Sequence, residues 1–180
     1  VGCDTAISDV FAVEVVADPV IDTQAIAAQE VCQNASLLDL TITVSGGVTS
    51  STFDYQWYSN TTNNNTSGTP IAGANTNTYT PDNTTIGTLY YYVVVTQTES
   101  GCEVISTTSE VTITPGPTIV TQPVDSEVCL DGVANQLTIV TQNGVGIPTY
   151  QWYTNTTNST SGGTPIAGAT NSTYDPPTNT

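Results

Sequence analysis

The chain contains no Lys, no Arg, no His and no Met. Without cations there is no electrostatic grip on phosphates, so nucleic acid is excluded as an expected partner. Without His or Lys, the Ser-His-Asp, Cys-His and Schiff-base chemistries have no general base or amine. Zinc loses its commonest nitrogen ligand. No apolar run approaches the ~20 residues of a membrane helix, so no membrane span is expected. No signal peptide is visible, and the missing Met suggests a chain that starts inside a larger or processed protein. Aromatic residues make up 7% and charged residues 9%. High net charge with few apolar residues can mean disorder. Here the aromatic and β-branched residues fall in alternating blocks instead, which argues for folded strands.

The 180 residues carry 16 carboxylates and a formal net charge of -16. Thr occupies 36 positions, one residue in five. Four Cys in a Thr/Asn-rich, lysine-free chain suggest an oxidising, extracellular setting.

Internal duplication is the strongest feature. Tyr55-Gln56-Trp57-Tyr58 recurs as Tyr150-Gln151-Trp152-Tyr153, and Gly68-Thr69-Pro70-Ile71-Ala72-Gly73-Ala74 recurs as Gly163 to Ala169, both at an offset of 95. Cys32 matches Cys129, and Leu40-Thr41-Ile42 matches Leu137-Thr138-Ile139, at an offset of 97. Gly2-Cys3 echoes Gly101-Cys102. A period near 100 residues is the length of a whole domain and too long for a solenoid repeat. The expected organisation is therefore a terminal strand of a preceding or neighbouring-copy domain over residues 1–18, a complete domain over 19–115, and a domain lacking its last strands over 116–180. The missing part corresponds to the Tyr90-Tyr91-Tyr92-Val93-Val94-Val95 segment.

Within the complete domain, Leu38, Leu40, Ile42 and Val44 alternate with polar residues, the period of a half-buried strand. Phe53, Tyr55 and Trp57 form a second such series, and Tyr91, Val93 and Val95 a third. Pro70–Gly73 and Thr76–Thr80 read as short strands, and Val111 and Ile113 belong to a last strand before Pro115-Gly116-Pro117. About seven short strands with turn signals between them predict an all-β fold, a β-sandwich. No segment carries a sustained helical period.

At Trp57 the pattern resembles the immunoglobulin-like fold. There a Trp in the third strand fills the core, and a Tyr at the position of Tyr91 forms the tyrosine corner. Val93 stands where an antibody domain has its second core Cys, so aliphatic packing against Ile42 is expected instead. Trp152 takes the Trp57 role in the second copy. More widely, the succession of Cys, Tyr-Gln-Trp-Tyr, an Asn/Thr loop, Gly-Thr-Pro-Ile-Ala-Gly-Ala, the Tyr/Val strand and Gly-Cys resembles the tandem immunoglobulin-like repeats of large gliding-associated and adhesin-type surface proteins of Bacteroidota. The resemblance implies tandem immunoglobulin-like sandwiches, secretion, display at the cell surface, and service as a stalk or filament. It specifies no ligand and no enzyme activity. On this frame Cys32 and Cys102 are expected to staple one end of the sandwich, and Cys3 to pair with Cys129 of an adjacent domain or copy.

Other candidates are weaker. No cofactor or metal is expected; structural calcium near Asp18 and Asp22, or near Asp125 and Glu127, lacks an Asp-x-Asp-x-Asp-Gly loop. Scattered carboxylates offer no cleft for glycoside hydrolysis. The loops Asn60–Gly68 and Asn155–Gly163 sit where such folds often recognise sugars or partners. Tyr58, Tyr90 and Tyr92 alternate away from the core-facing positions, where they would either pack on a neighbouring subunit or shield the sheet. Asn60, Asn65, Asn155 and Asn158 head Asn-x-Ser/Thr triplets, and Asp4-Thr5-Ala6 resembles an O-glycosylation motif of Bacteroidota, making Thr5 a candidate.

Two assemblies fit. One is a continuous array, with the copies coupled semi-rigidly through Pro115-Gly116-Pro117. The other is a protomer completed by an edge strand, Ile7 to Val16, from the next copy. Both make an extracellular fibre whose partners are further repeats or copies of itself. A carbohydrate- or protein-binding module is the alternative class.

Overall fold

A computed structural model describes residues 5–48 and 52–178. Among these the fold is all-β, with no helix and therefore none long and apolar enough to cross a membrane. The first ten strands are β1 (Pro19–Thr23), β2 (Ala28–Cys32), β3 (Leu40–Thr41), β4 (Thr43–Gly46), β5 (Phe53–Asn60), β6 (Thr69–Pro70), β7 (Thr78–Tyr79), β8 (Gly87–Gln97), β9 (Glu103–Ile105) and β10 (Ser109–Thr114). Six shorter strands follow: β11 (Thr118–Thr121), β12 (Leu137–Thr138), β13 (Val140–Gln142), β14 (Tyr153–Thr154), β15 (Thr164–Pro165) and β16 (Thr173–Tyr174). Residues 5–18 form no strand. The largest sheet has the order β2-β10-β8-β5-β6, with β9 also on β8.

The chain divides into two compact units. One takes in the described residues of Val1–Ala27, Asp39–Thr80 and Leu89–Glu110; the other comprises Ala28–Leu38, Pro81–Thr88 and the described residues of Val111–Thr180.

The first unit is organised by β5 against β8, in antiparallel register from Phe53↔Gln97 to Asn60↔Tyr90. This register sets Trp57 opposite Val93. Leu40, Ile42, Trp57, Val93 and Val95 are all completely buried, and Tyr91 is nearly so. Alternation along β5 and β8 puts Trp57, Tyr91, Val93 and Val95 on one face, where burying aliphatic and aromatic surface stabilises the fold. Ile42 and Val93 are thus both core aliphatics, with no cysteine at either position.

The Leu38–Val44 alternation reads as one strand, but the structure divides it. Leu40 and Thr41 pair with β7, while Thr43–Gly46 pairs with β1. Alternation reports burial, and it is silent on which neighbour supplies the hydrogen bonds.

Ser106 closes a gap in the same core. Its hydroxyl accepts from Val93 N–H at 2.9 Å and donates to the Thr107 carbonyl at 2.9 Å. Ser106 is 1% exposed. Ser106→Ala strips a buried backbone N–H of its partner, so it is expected to destabilise by about 1–3 kcal/mol. Urea denaturation checks this; a midpoint equal to that of the parent contradicts it.

In the second unit, β2 runs beside the end of β10. Gln33 N–H donates to the Thr114 carbonyl at 2.8 Å, and Thr114 Oγ1 donates to the Val31 carbonyl at 3.3 Å. The hydroxyls of Thr88 and Thr112 lie 2.9 Å apart. The remaining strand pairs repeat those of the first unit. β11–β13 corresponds to β1–β4, and each pair carries a register shift. β12–β16 corresponds to β3–β7, with Leu137↔Tyr174 in place of Leu40↔Tyr79. β14–β15 corresponds to β5–β6, with Tyr153↔Pro165 in place of Tyr58↔Pro70. The duplication in sequence is therefore a duplication of hydrogen-bonded pairs.

Candidate functional site

The Tyr-Gln-Trp-Tyr motif builds the same local scaffold in both copies. Trp57 N–H donates to the Ala74 carbonyl and Ile71 N–H to the Trp57 carbonyl. Trp152 and Ile166 repeat this with Ala169. Gln56 Nε2 donates to the carbonyls of Trp57 and Ile71, and Gln151 Nε2 to those of Trp152 and Ile166. Each indole N–H donates at 2.8 Å, Trp57 to Thr76 O and Trp152 to Asn171 O. Each indole stacks on a Tyr at 5.9 Å, Tyr79 or Tyr174. Tyr91 adds a third ring to the first cluster, 5.5 Å from Tyr79.

The copies differ where β8 has no counterpart. Trp57 is completely buried, while Trp152 is half-buried. Tyr58 stacks on Tyr92 at 5.0 Å, with the rings 4° from parallel; its counterpart Tyr153 is 60% exposed. An open groove of about 990 Å³ runs beside Trp152, lined also by Pro117, Ile119, Ile139, Ile147 and Cys32.

The Asn60–Gly68 loop is held by its own side chains. Asn60 Oδ1 accepts from the Thr62 N–H and hydroxyl, and Asn64 Oδ1 from the Thr66 N–H and hydroxyl. These are successive Asx turns. Asn155 repeats the first with Thr157. The first loop also folds onto the sheet, because Asn65 Nδ2 donates to Ser106 O and Gly68 N–H donates to the Tyr92 hydroxyl, both at 2.9 Å. A Cβ at Gly68 would lie 2.8 Å from the Tyr92 ring.

Of the two roles open to Tyr58, Tyr90 and Tyr92, Tyr92 takes that of shielding the sheet: it is 3% exposed, covered by the loop and stacked on Tyr58, while Tyr58 and Tyr90 are half-buried. A Tyr pointing off the core face reads as exposed unless the fold-back of the following loop is known. Tyr92→Phe removes the acceptor of Gly68 N–H and is expected to cost about 1 kcal/mol locally. Amide exchange at Gly68 should accelerate several-fold; an unchanged rate contradicts the bond's role.

Among the candidate modification positions, Thr5, Asn155 and Asn158 are exposed, while Asn60 and Asn65 are half-buried. The Asn60 amide donates to Asn64 O and the Asn65 amide to Ser106 O. Among the carboxylates, Asp22 accepts from the Ser45 hydroxyl at 2.7 Å. Asp82 is held below the usual carboxylate range by the hydroxyl and then the N–H of Thr84. Among the described residues no three His, Cys, Asp or Glu side chains gather as a metal site.

Residues 22–115 match a family described as a domain of unknown function, DUF8696. The chain belongs to that family. The match begins within β1 and ends just past β10, so the DUF8696 domain holds the buried Trp57 cluster, the pinned loop, Cys32 and Cys102. No curated protein matches the chain.

Cys32, Cys102 and Cys129 are free thiols in this structure; Cys3 lies outside the described residues. Cys32 ends β2, next to Gln33, whose N–H donates to the Thr114 carbonyl. The Cys102 carbonyl accepts from Gln97 N–H, at the end of β8.

Proposed function

We propose that the chain is a structural segment of an extracellular, cell-surface stalk or filament built from end-to-end immunoglobulin-like β-sandwich domains, with no reaction of its own. The observation that carries this reading is the recurrence of the same three strand pairs on either side of Pro115-Gly116-Pro117. The junction is tethered: Gly144 N–H donates to the Pro115 carbonyl at 3.0 Å, and a Cβ at Gly144 would lie 3.3 Å from Pro117. A short, proline-bounded and hydrogen-bonded connection transmits force and orientation better than a flexible linker. The Thr/Asn-rich surface and net charge of -16 favour a solvated, mutually repelling rod. The amides of Asn60, Asn64, Asn65 and Asn155 are already engaged internally, which weighs against a sugar-binding reading.

Electron microscopy of the native surface material tests the proposal. Rods with regularly spaced beads, one per repeat, are expected. Compact single particles without periodic density overturn it.

The self-assembling protomer is a second reading, favoured by one observation. Ile7, Val10, Phe11, Val13 and Val15 are each at least 84% exposed, although Val13 and Val15 correspond to Val111 and Ile113, which are buried in β10. An extended apolar segment of this kind suits donation to a neighbouring copy. A nonreducing ladder that collapses on reduction is expected of the polymer and not of the continuous array.

A further inference from the structure

We infer that the groove beside Trp152 is a strand-receiving site. Its occupant is a β8-type strand of a further copy of the repeat, laid antiparallel to β14 with Val opposite Trp152 and Tyr opposite Tyr153.

The first ground is that the chain itself shows what covers this surface. The groove, whose lining belongs to one compact unit, includes Ile139, Tyr150, Trp152, Tyr153, Asn155 and Gly163. In the first copy the same positions are Ile42, Tyr55, Trp57, Tyr58, Asn60 and Gly68. There β8 lies along β5: Tyr55, Trp57, Tyr58 and Asn60 face Val95, Val93, Tyr92 and Tyr90. The second copy keeps the indole–Tyr stack of the first, with ring centroids 5.9 Å apart in both and planes inclined at 29° and 30°. Among the described residues β14 pairs only with β15. Its other edge is therefore open to a further strand.

The second ground is the chemistry the site reads. In the first copy Tyr92 stacks on Tyr58, and its hydroxyl accepts from Gly68 N–H. The counterparts are Tyr153, which is 60% exposed, and Gly163. A Tyr at this position both stacks on Tyr153 and accepts from Gly163 N–H, which no aliphatic side chain can do. A Tyr one position earlier brings a third ring to Tyr174, as Tyr91 does to Tyr79 at 5.5 Å. The Val after them packs against Trp152, as Val93 does opposite Trp57. The occupant is thus read at three successive positions, Tyr-Tyr-Val. Charge agrees: a chain of net charge -16 with no cation repels an acidic strand, and Gly87–Gln97 carries no charged residue.

The probe is a peptide of residues 86–99, with terminal Glu residues added for solubility. It is titrated into the Trp57→Phe chain, where Trp152 is the one indole. A saturable shift of emission to shorter wavelength is expected. A Tyr92→Phe peptide should bind about fivefold more weakly, through loss of one hydrogen bond. Gly163→Ala in the chain should weaken the parent peptide about tenfold, because a Cβ at the matching Gly68 would lie 2.8 Å from the Tyr92 ring. A peptide with Tyr91, Val93 and Val95 all changed to Ser should not bind. The unaltered chain gives an independent check that needs no Trp57 variant. A peptide with a benzophenone side chain at the Leu89 position should cross-link within residues 137–174. No saturable binding, equal binding of the Ser peptide, or cross-links confined to residues 19–115 overturns the proposal. The site is a property of the second copy alone and goes beyond the stalk reading. Rods without peptide binding sink only this inference, and binding without rods sinks only the stalk.

Discussion

Trp57→Ala is expected to unfold the DUF8696 domain at urea concentrations that leave the parent folded. The indole is completely buried, stacks on Tyr79 and sits opposite Val93. Its removal leaves a large cavity and deprives Thr76 O of its donor. Changes of this kind cost about 3–5 kcal/mol, a large part of the 5–15 kcal/mol that holds a typical domain. Trp152→Ala offers an internal comparison, with the same motif, the same indole hydrogen bond and the same stacking distance. Trp152 is only half-buried, so its loss should cost about 1–2 kcal/mol, in proportion to the smaller apolar area involved. Circular dichroism in urea measures both without depending on the deleted fluorophore. Equal midpoints for the two variants contradict the account.

Completing the C-terminal copy is expected to have the opposite effect. When residues 86–114 are repeated after Thr180, the strand around Trp152 gains the neighbour that β8 provides for β5. β5 is eight residues long and β14 only two, because a strand persists where its backbone groups are paired. In a Trp57→Phe background, Trp152 is the one indole left, and its emission should move to shorter wavelength as the groove closes. Trp152→Ala in the completed chain should then cost about as much as Trp57→Ala, about 3–5 kcal/mol. Unmoved emission together with an unchanged Trp152→Ala cost rejects the idea that the groove is the seat of a β8-like strand.

Much of the DUF8696 domain is legible before any coordinates. Phe53–Tyr58, the Tyr/Val segment and Val111–Ile113 are strands because alternating β-branched and aromatic residues serve one buried face. Trp57, Tyr91 and Val93 lie on the face that this alternation assigns them. The Asn/Thr loops are legible as loops, since Asn, Thr, Ser and Gly favour turns over ladders. The interruption at Ile42 and the covering of Tyr92 were not legible, because each depends on a partner distant in the chain.

Composition alone, through the lack of Lys, Arg and His, removes whole classes of chemistry, and periodicity alone marks the strands and the duplication. Both are local properties, set by which side chains seek water and which avoid it. Only the tertiary structure decided that Tyr92 lies beneath a loop and that the Leu38–Val44 series divides between two strand partners. Register and loop fold-back arise from hydrogen bonds between segments tens of residues apart, and a one-dimensional pattern holds no record of those distances.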